Sequence, residues 1–254
     1  MNAIIFGSTS DIGTEICRKL AKNGHNRLIV HGRNKNSLSN LCKEMELINV
    51  ECFPLLMDLD KTVDKSILLE QIKSTSIEKI NTYVYCPGMC GEMTPVSFLN
   101  LSKDVNVVMQ LNFLSALETL ETVEPFLAPQ SSVIFISSTN SFIPMECGTS
   151  YCCSKAALTE LSKAKAVQLG SKGIRVNAIA PGYVPTKFHE PYFNSEDELN
   201  EFFSECKDST ILGRLASCEG VANVACFLAG RESRDITGTQ VVVDCGESIK
   251  YNTE

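Results

Sequence analysis

Residues 4–16, IIFGSTSDIGTEI, join an apolar run to a glycine-marked turn and then to residues with helical spacing. A strand that feeds a helix through such a turn aims backbone N–H groups at an anion, which the positive end of the helix dipole also attracts. The stretch reads as a phosphate cradle at the front of an α/β fold. Asp11 stands at odds with that reading, because its carboxylate repels a phosphate. Acidic residues favour helix starts, so Asp11 is expected to turn back onto the first free amides as a cap and to weaken dinucleotide binding mildly.

Working outward, β-rich runs recur along the chain: AIIFG, RLIVHG, VECFPLLM, NTYVYC, SVIFISS, IRVNAIA and GTQVVVD. Most are apolar without alternation, as strands covered on both faces are. Segments 11–23, 34–48, 103–127 and 150–169 between them have helical spacing. This repetition predicts an α/β fold, a doubly wound parallel seven-stranded sheet with helices on both faces, in the Rossmann manner. An eight-stranded barrel fits less well, since seven strands are found and the glycine turn follows the first. A single dinucleotide-binding and catalytic domain over 1–254 is expected. The stretch from Pro181 to Leu212, irregular and rich in Phe and Tyr, is expected to include a substrate lid over 186–212.

The net charge of −7, with scattered Lys and Arg, argues against a grip on nucleic acid or on an anionic membrane. No apolar run approaches the roughly 18 to 20 residues that cross a bilayer. The twelve cysteines include no CxxC pair or neighbouring His pair, so no metal site is expected. Nothing ahead of the strand at Ala3 leaves room for a signal peptide, which points to reduced thiols in a cytoplasmic protein.

The chemistry centres on TSYCCSKAALTEL, 149–161, where Tyr151 and Lys155 are four residues apart and share a helix face. A nearby ammonium favours phenolate and lowers a phenol from its usual pKa of ~10. Tyr151 would then exchange a proton with an alcohol or ketone. Cys152 and Cys153 are turned away by about 100° per residue and are read as packing thiols. Taken alone, the Tyr–Lys pair reads equally as an ordinary helical boundary pair. A strand, VIFISS, ends at Ser137 and Ser138, where open α/β sheets place their ligands.

Together these residues resemble the short-chain dehydrogenase/reductase family. Further matches run almost end to end: VMQLNFLSAL (108–117), GIRVNAIAPGYVPT (173–186), GRLASCEGVANVACFLAG (213–230) and ITGTQVVVDCG (236–246). The resemblance implies that Ser138 binds the substrate oxygen and Tyr151 is the general acid/base. It implies that Lys155 lowers the Tyr151 pKa and holds the nicotinamide ribose, and that Asn112 anchors a proton-relay water. It carries cofactor contacts over to Gly7, Ser8, Thr9, Ser10, Asp11, Ile12 and Gly13, to Asp58 and Leu59, to Cys86 and Gly88, and to Pro181, Gly182, Val184 and Thr186. The chain departs from the family with Phe6 before the first glycine, with Asp11 inside the glycine loop, and with YCPG at 85–88, where Tyr85, Cys86 and Pro87 predict local repacking.

Cofactor choice is read at LIVHGRN, 28–34. NAD-using relatives place an acid at the Gly32 position for the ribose 2′-hydroxyl. Here there is none, and Arg33 can bind phosphate oxygens, so NADP(H) is preferred with NAD(H) possible. The plainer readings are a solvated Arg33 and an Asp58 that caps the next helix. The expected reaction is carbonyl–alcohol interconversion on a small, moderately hydrophobic substrate. Its pocket would draw on Met89, Asn140, Phe142, Met145, Tyr183 and the lid. One alternative is 3-oxoacyl-[acyl-carrier-protein] reduction, for which FLAPQSS and a lone Lys172 offer little basic docking surface. Another is a non-catalytic dinucleotide sensor or scaffold. Relatives assemble through the helices at 103–127 and 150–169, so a homo-oligomer, tetramer or dimer, is expected.

Overall fold

The strands expected from the apolar runs form one parallel sheet in a computed structural model that describes residues 1–91, 101–145 and 148–250. They are β1 (Asn2–Phe6), β2 (Arg27–Gly32), β3 (Glu51–Leu56), β4 (Ile80–Tyr85), β5 (Leu127–Ile136), β6 (Arg175–Pro181) and β7 (Gln240–Val243). Their order is β3-β2-β1-β4-β5-β6-β7. Strand order therefore reverses between β1 and β4, and a crevice opens there at the carboxyl ends.

Eight α-helices accompany the sheet among the described residues: α1 (Asp11–Lys22), α2 (Lys35–Leu47), α3 (Lys65–Ser74), α4 (Leu101–Met109), α5 (Ser115–Val123), α6 (Thr149–Leu169), α7 (Glu196–Asp208) and α8 (Cys218–Ala229). The pleat sends alternate strand residues to opposite faces. Ile4, Phe6, Tyr83 and Phe135 pack with α5 and α6 side chains, whereas Ala3, Ile5, Val84 and Ile134 pack with those of α1, α2 and α8.

Three local features differ from the sequence reading. The helix expected over 103–127 is broken by a π turn, Gln110–Leu114, which separates α4 from α5 and carries Asn112 into the interior. Such wide turns occur mostly as single insertions within helical segments. The strand read from Ser132 starts earlier, at Leu127. The stretch read as irregular contains α7: the Ser195 side chain accepts from the Glu198 amide, while a Glu198 carboxylate oxygen accepts from the Asn194 amide 2.9 Å away. The first turn also holds Glu196, Asp197 and Glu198, suited to the helix dipole. The acids that made the stretch look solvated are a helix-start signal.

Candidate active site

The crevice is lined by the segments that follow β1, β4, β5 and β6, and α6 supplies its floor. Ser138 ends the β5 segment and caps a short 3₁₀ turn, accepting from the Asn140 amide at 3.1 Å while its hydroxyl donates to Asn140 Oδ1 at 3.2 Å. Neighbouring Ser137 is spent on the scaffold, donating to the Lys155 carbonyl and bonding Thr159. On α6, Tyr151, Ser154, Lys155 and Leu158 form one buried stripe, the 3–4 residue spacing that faces a helix inward.

Tyr151 and Lys155 are both buried. The Lys155 ammonium lies 5.7 Å from the Tyr151 ring centroid and donates to the Ile136 carbonyl at 2.9 Å. Burial pulls the lysine down to about 8. It pushes the Tyr151 phenol well above its ordinary range, with nearby Cys90 adding to the rise and the hydrogen bond with Ser138 opposing it. The sequence expectation that Lys155 brings the phenol toward working pH is thus corrected: desolvation by burial is the largest influence on the phenol and raises it.

Asn112 is fully buried and tied to the loop after β4. Its Oδ1 accepts from the Met89 amide, and its Nδ2 donates to the Met89 carbonyl and to Ser154 Oγ, each at 2.9 Å. A methyl group at Gly88 would lie 3.2 Å from Lys155 Nζ and 3.7 Å from Asn112 Oδ1, so the one glycine retained from the family signature leaves these side chains their space. The repacking expected at YCPG is concrete. The Tyr85 hydroxyl reaches the Leu111 carbonyl and Ser115 Oγ, bracing β4 against the π turn.

The glycine loop is shaped for an anion. Gly7 has φ +72°, and a Cβ at Gly13 would fall 2.1 Å from the Gly7 carbonyl oxygen. The amides of Asp11 and Ile12 have no acceptor among the described residues. The capping expectation for Asp11 fails, because Ser10 is the cap and its Oγ accepts from the Gly13 amide at 3.1 Å. Asp11 reaches across the crevice instead, its Oδ2 accepting from the Lys187 amide at 2.8 Å.

At the adenosine end, a Cβ at Gly32 would meet Thr9 Oγ1 at 2.8 Å, so a larger residue there would require the Thr9 side chain to shift. Arg33 is exposed and has no ion pair or hydrogen bond among the described residues. Asp58 is exposed beside buried Leu59, and it does not cap α3, which Asp64 does. On the nicotinamide side, Gly182 donates to the Val243 carbonyl, and a Cβ there would strike Glu247. Val184 is buried, and the Thr186 carbonyl accepts from the His189 amide at 3.2 Å. Cys86 lies 3.6 Å from Ser10 Oγ. Ser8 is buried and donates to the His31 carbonyl. These residues fit an extended dinucleotide running from Arg33 past the α1 N-terminus to Lys155.

The site includes a residue that the sequence reading overlooked. His31, buried on β2, accepts the Gly7 N–H on Nδ1 at 3.1 Å and donates from Nε2 to the Met57 carbonyl at 3.1 Å. Burial holds it at about 4, so it stays neutral and fixes the loop. A histidine one residue before Gly32 in an apolar strand was the available signal. Tyr192 accepts from the Cys90 amide at 3.0 Å.

Phe188 packs 6.1 Å from the Tyr151 ring, and Tyr192 follows 6.2 Å from Phe188. Tyr183 lies edge-on to Phe202 at 5.3 Å. An aromatic wall therefore leads away from the phenol. Phe142 does not join it: exposed, it lines a shallow, open depression of about 220 Å³ with Asn140, Pro144, Cys152 and Cys153. The reading of Cys153 as a packing thiol is also corrected, since it is exposed on the outer face of α6.

The family model matching residues 7–248 is described as enoyl-(acyl carrier protein) reductase. A tropinone reductase homologue of Arabidopsis thaliana is 27% identical over 98% of this chain and 93% of its own length. Oxidoreductase UcpA of Salmonella typhimurium is 29% identical over 97% and 94%. A short-chain dehydrogenase/reductase from Serratia marcescens superposes with a TM-score of 0.84 at 22% identity, covering 97% of each chain. A 3-oxoacyl-[acyl-carrier protein] reductase from Brucella melitensis gives 0.83 at 22% identity, covering 98% of this chain and 91% of its own. With the family model spanning nearly the whole sequence, the chain belongs to the short-chain dehydrogenase/reductase family and is an oxidoreductase acting on CH–OH groups with a nicotinamide dinucleotide.

Proposed function

We propose that the enzyme interconverts a small, moderately hydrophobic ketone and its alcohol, with NADP(H) preferred over NAD(H). The observation that carries the reading is the buried meeting of Tyr151, Ser138 and Lys155 beneath an aromatic wall. When bound, the nicotinamide supplies or accepts hydride. Ser138 Oγ is held by the Asn140 amide, so its proton can turn from Asn140 Oδ1 to the substrate oxygen and stabilise the charge developing there.

Burial keeps Tyr151 protonated at neutral pH, ready to act as the general acid of carbonyl reduction. The Lys155 ammonium then stabilises the phenolate left behind. Alcohol oxidation needs the phenolate at the outset, so it should gain rate as pH rises. Asn112 holds Met89 and Ser154, and thereby the loop facing Lys155. Residues 186–212 act as the lid, with Met89, Met145 and Tyr183 beside it. The full chain is proposed to work as one catalytic domain and to assemble as a homodimer or homotetramer, for which Val107, Leu114 and Val167 offer exposed apolar side chains.

NADP(H) is favoured by the crowding of Gly32 against Thr9 and by the uncommitted Arg33 guanidinium. The test follows NADPH and NADH absorbance against a panel of neutral ketones and a 3-oxoacyl thioester. Faster NADPH oxidation with an apolar ketone, and roughly tenfold weaker NADPH binding in Arg33→Ala with NADH unchanged, are expected. Preference for the thioester would favour the acyl-carrier reading. NADPH binding without turnover of any compound would favour a sensor.

A further inference from the structure

Strands β1 and β6 are not neighbours: β4 and β5 lie between them. At about 4.8 Å per strand, the segments after β1 and β6 start ~14 Å apart. The bond from the Lys187 amide to Asp11 Oδ2 nonetheless joins them at 2.8 Å. It therefore passes in front of the carboxyl ends of β4 and β5, where Gly88, Ser138 and Lys155 stand. A dinucleotide laid from the α1 N-terminus toward Lys155 would cross the same stretch of the crevice.

We propose that Asp11 is a positioning residue that straps the root of the lid, at Lys187, over the bound dinucleotide and so slows its release. The inference rests on the dinucleotide-binding reading above, and it gives Asp11 a sense opposite to simple repulsion of the pyrophosphate. Ser10 already caps α1, and its Oγ accepts the Gly13 amide, so the carboxylate is left to span the crevice. Its partner is a backbone amide, which any residue but proline at 187 preserves, so the specificity of the strap lies in Asp11. Bonds to a charged acceptor are stronger than neutral ones, and this one is single and exposed.

The test uses the whole chain and NADPH as the probe, following release by stopped-flow fluorescence on displacement with excess NADP⁺. Asp11→Ala should release NADPH roughly tenfold faster. Asp11→Asn keeps an acceptor in place and should stay within about threefold of wild type. Both variants should melt within a few degrees of wild type, because the contact is exposed.

Unchanged or slower release from Asp11→Ala would overturn the proposal, as would equal acceleration in both variants. Tighter binding by both would establish repulsion instead. A purely structural role would lower the melting temperature of Asp11→Ala and leave release unchanged. Failure of wild type to bind NADPH or NADH would count against the dinucleotide reading itself, and if only NADH binds, the same comparison is made with NADH.

Discussion

The floor of the crevice and its cover are built differently. The floor is over-determined: Lys155 bonds the end of β5, Ser137 bonds the Lys155 carbonyl, and Asn112 makes three bonds that tie α6 to the loop after β4. The side chains of Lys155, Ser137, Asn112 and Ser154 are all buried. The cover is attached at points, by Asp11 to Lys187 and by the Cys90 amide to Tyr192, with ring contacts between. Buried, mutually satisfied networks hold one geometry, whereas segments with few buried contacts open at low cost. Chemistry should therefore depend on the floor, and substrate choice and release on the cover.

Changes to the floor should cost the most turnover. Lys155→Met is expected to lower kcat for ketone reduction by about 10² to 10³, since phenolate would form with no neighbouring ammonium; steady-state NADPH oxidation measures it. In the cover, Phe188→Ala should raise KM for an apolar ketone by roughly three- to tenfold, the worth of a lost aromatic contact, while kcat holds within about threefold. If Phe188→Ala instead cost as much kcat as Lys155→Met, the division between floor and cover would fail.

The smallest effect concerns acid. His25 and His31 are held at about 4 by burial, below their ordinary value of 6.5. The unfolded chain binds protons that the fold refuses between those values. Stability is therefore complete above pH 6.5 and declines as pH falls toward 4. Melting temperatures across that interval should drop steadily, and NADPH affinity with them, because protonated His31 cannot accept the Gly7 N–H.

Much of this was legible in the sequence. Uninterrupted apolar runs announced a sheet covered on both faces, and their alternation with helical segments gave its parallel topology. Ser138, Tyr151 and Lys155 were marked by a strand end and by spacing along one helix, both local properties. Asp11 was misread because its partner lies 176 residues away, and local rules for helix starts say nothing of a crevice between. The Tyr151 pKa was misread because charge neighbours can be inferred from spacing, whereas depth of burial cannot. The π turn at Asn112 left no pattern in the periodicity, while the Ser195 cap with Glu198 three residues on was readable and was masked by the surrounding acids.

The central claim is that the buried Tyr151 phenol delivers the proton to the substrate oxygen. Single-turnover absorbance of prebound NADPH after mixing with a ketone tests it most directly, comparing wild type with Tyr151→Phe at neutral pH. Cofactor binding is checked by fluorescence in both. The account predicts unchanged NADPH binding and hydride transfer slowed by about 10² to 10⁴. Transfer within about threefold of wild type would contradict it.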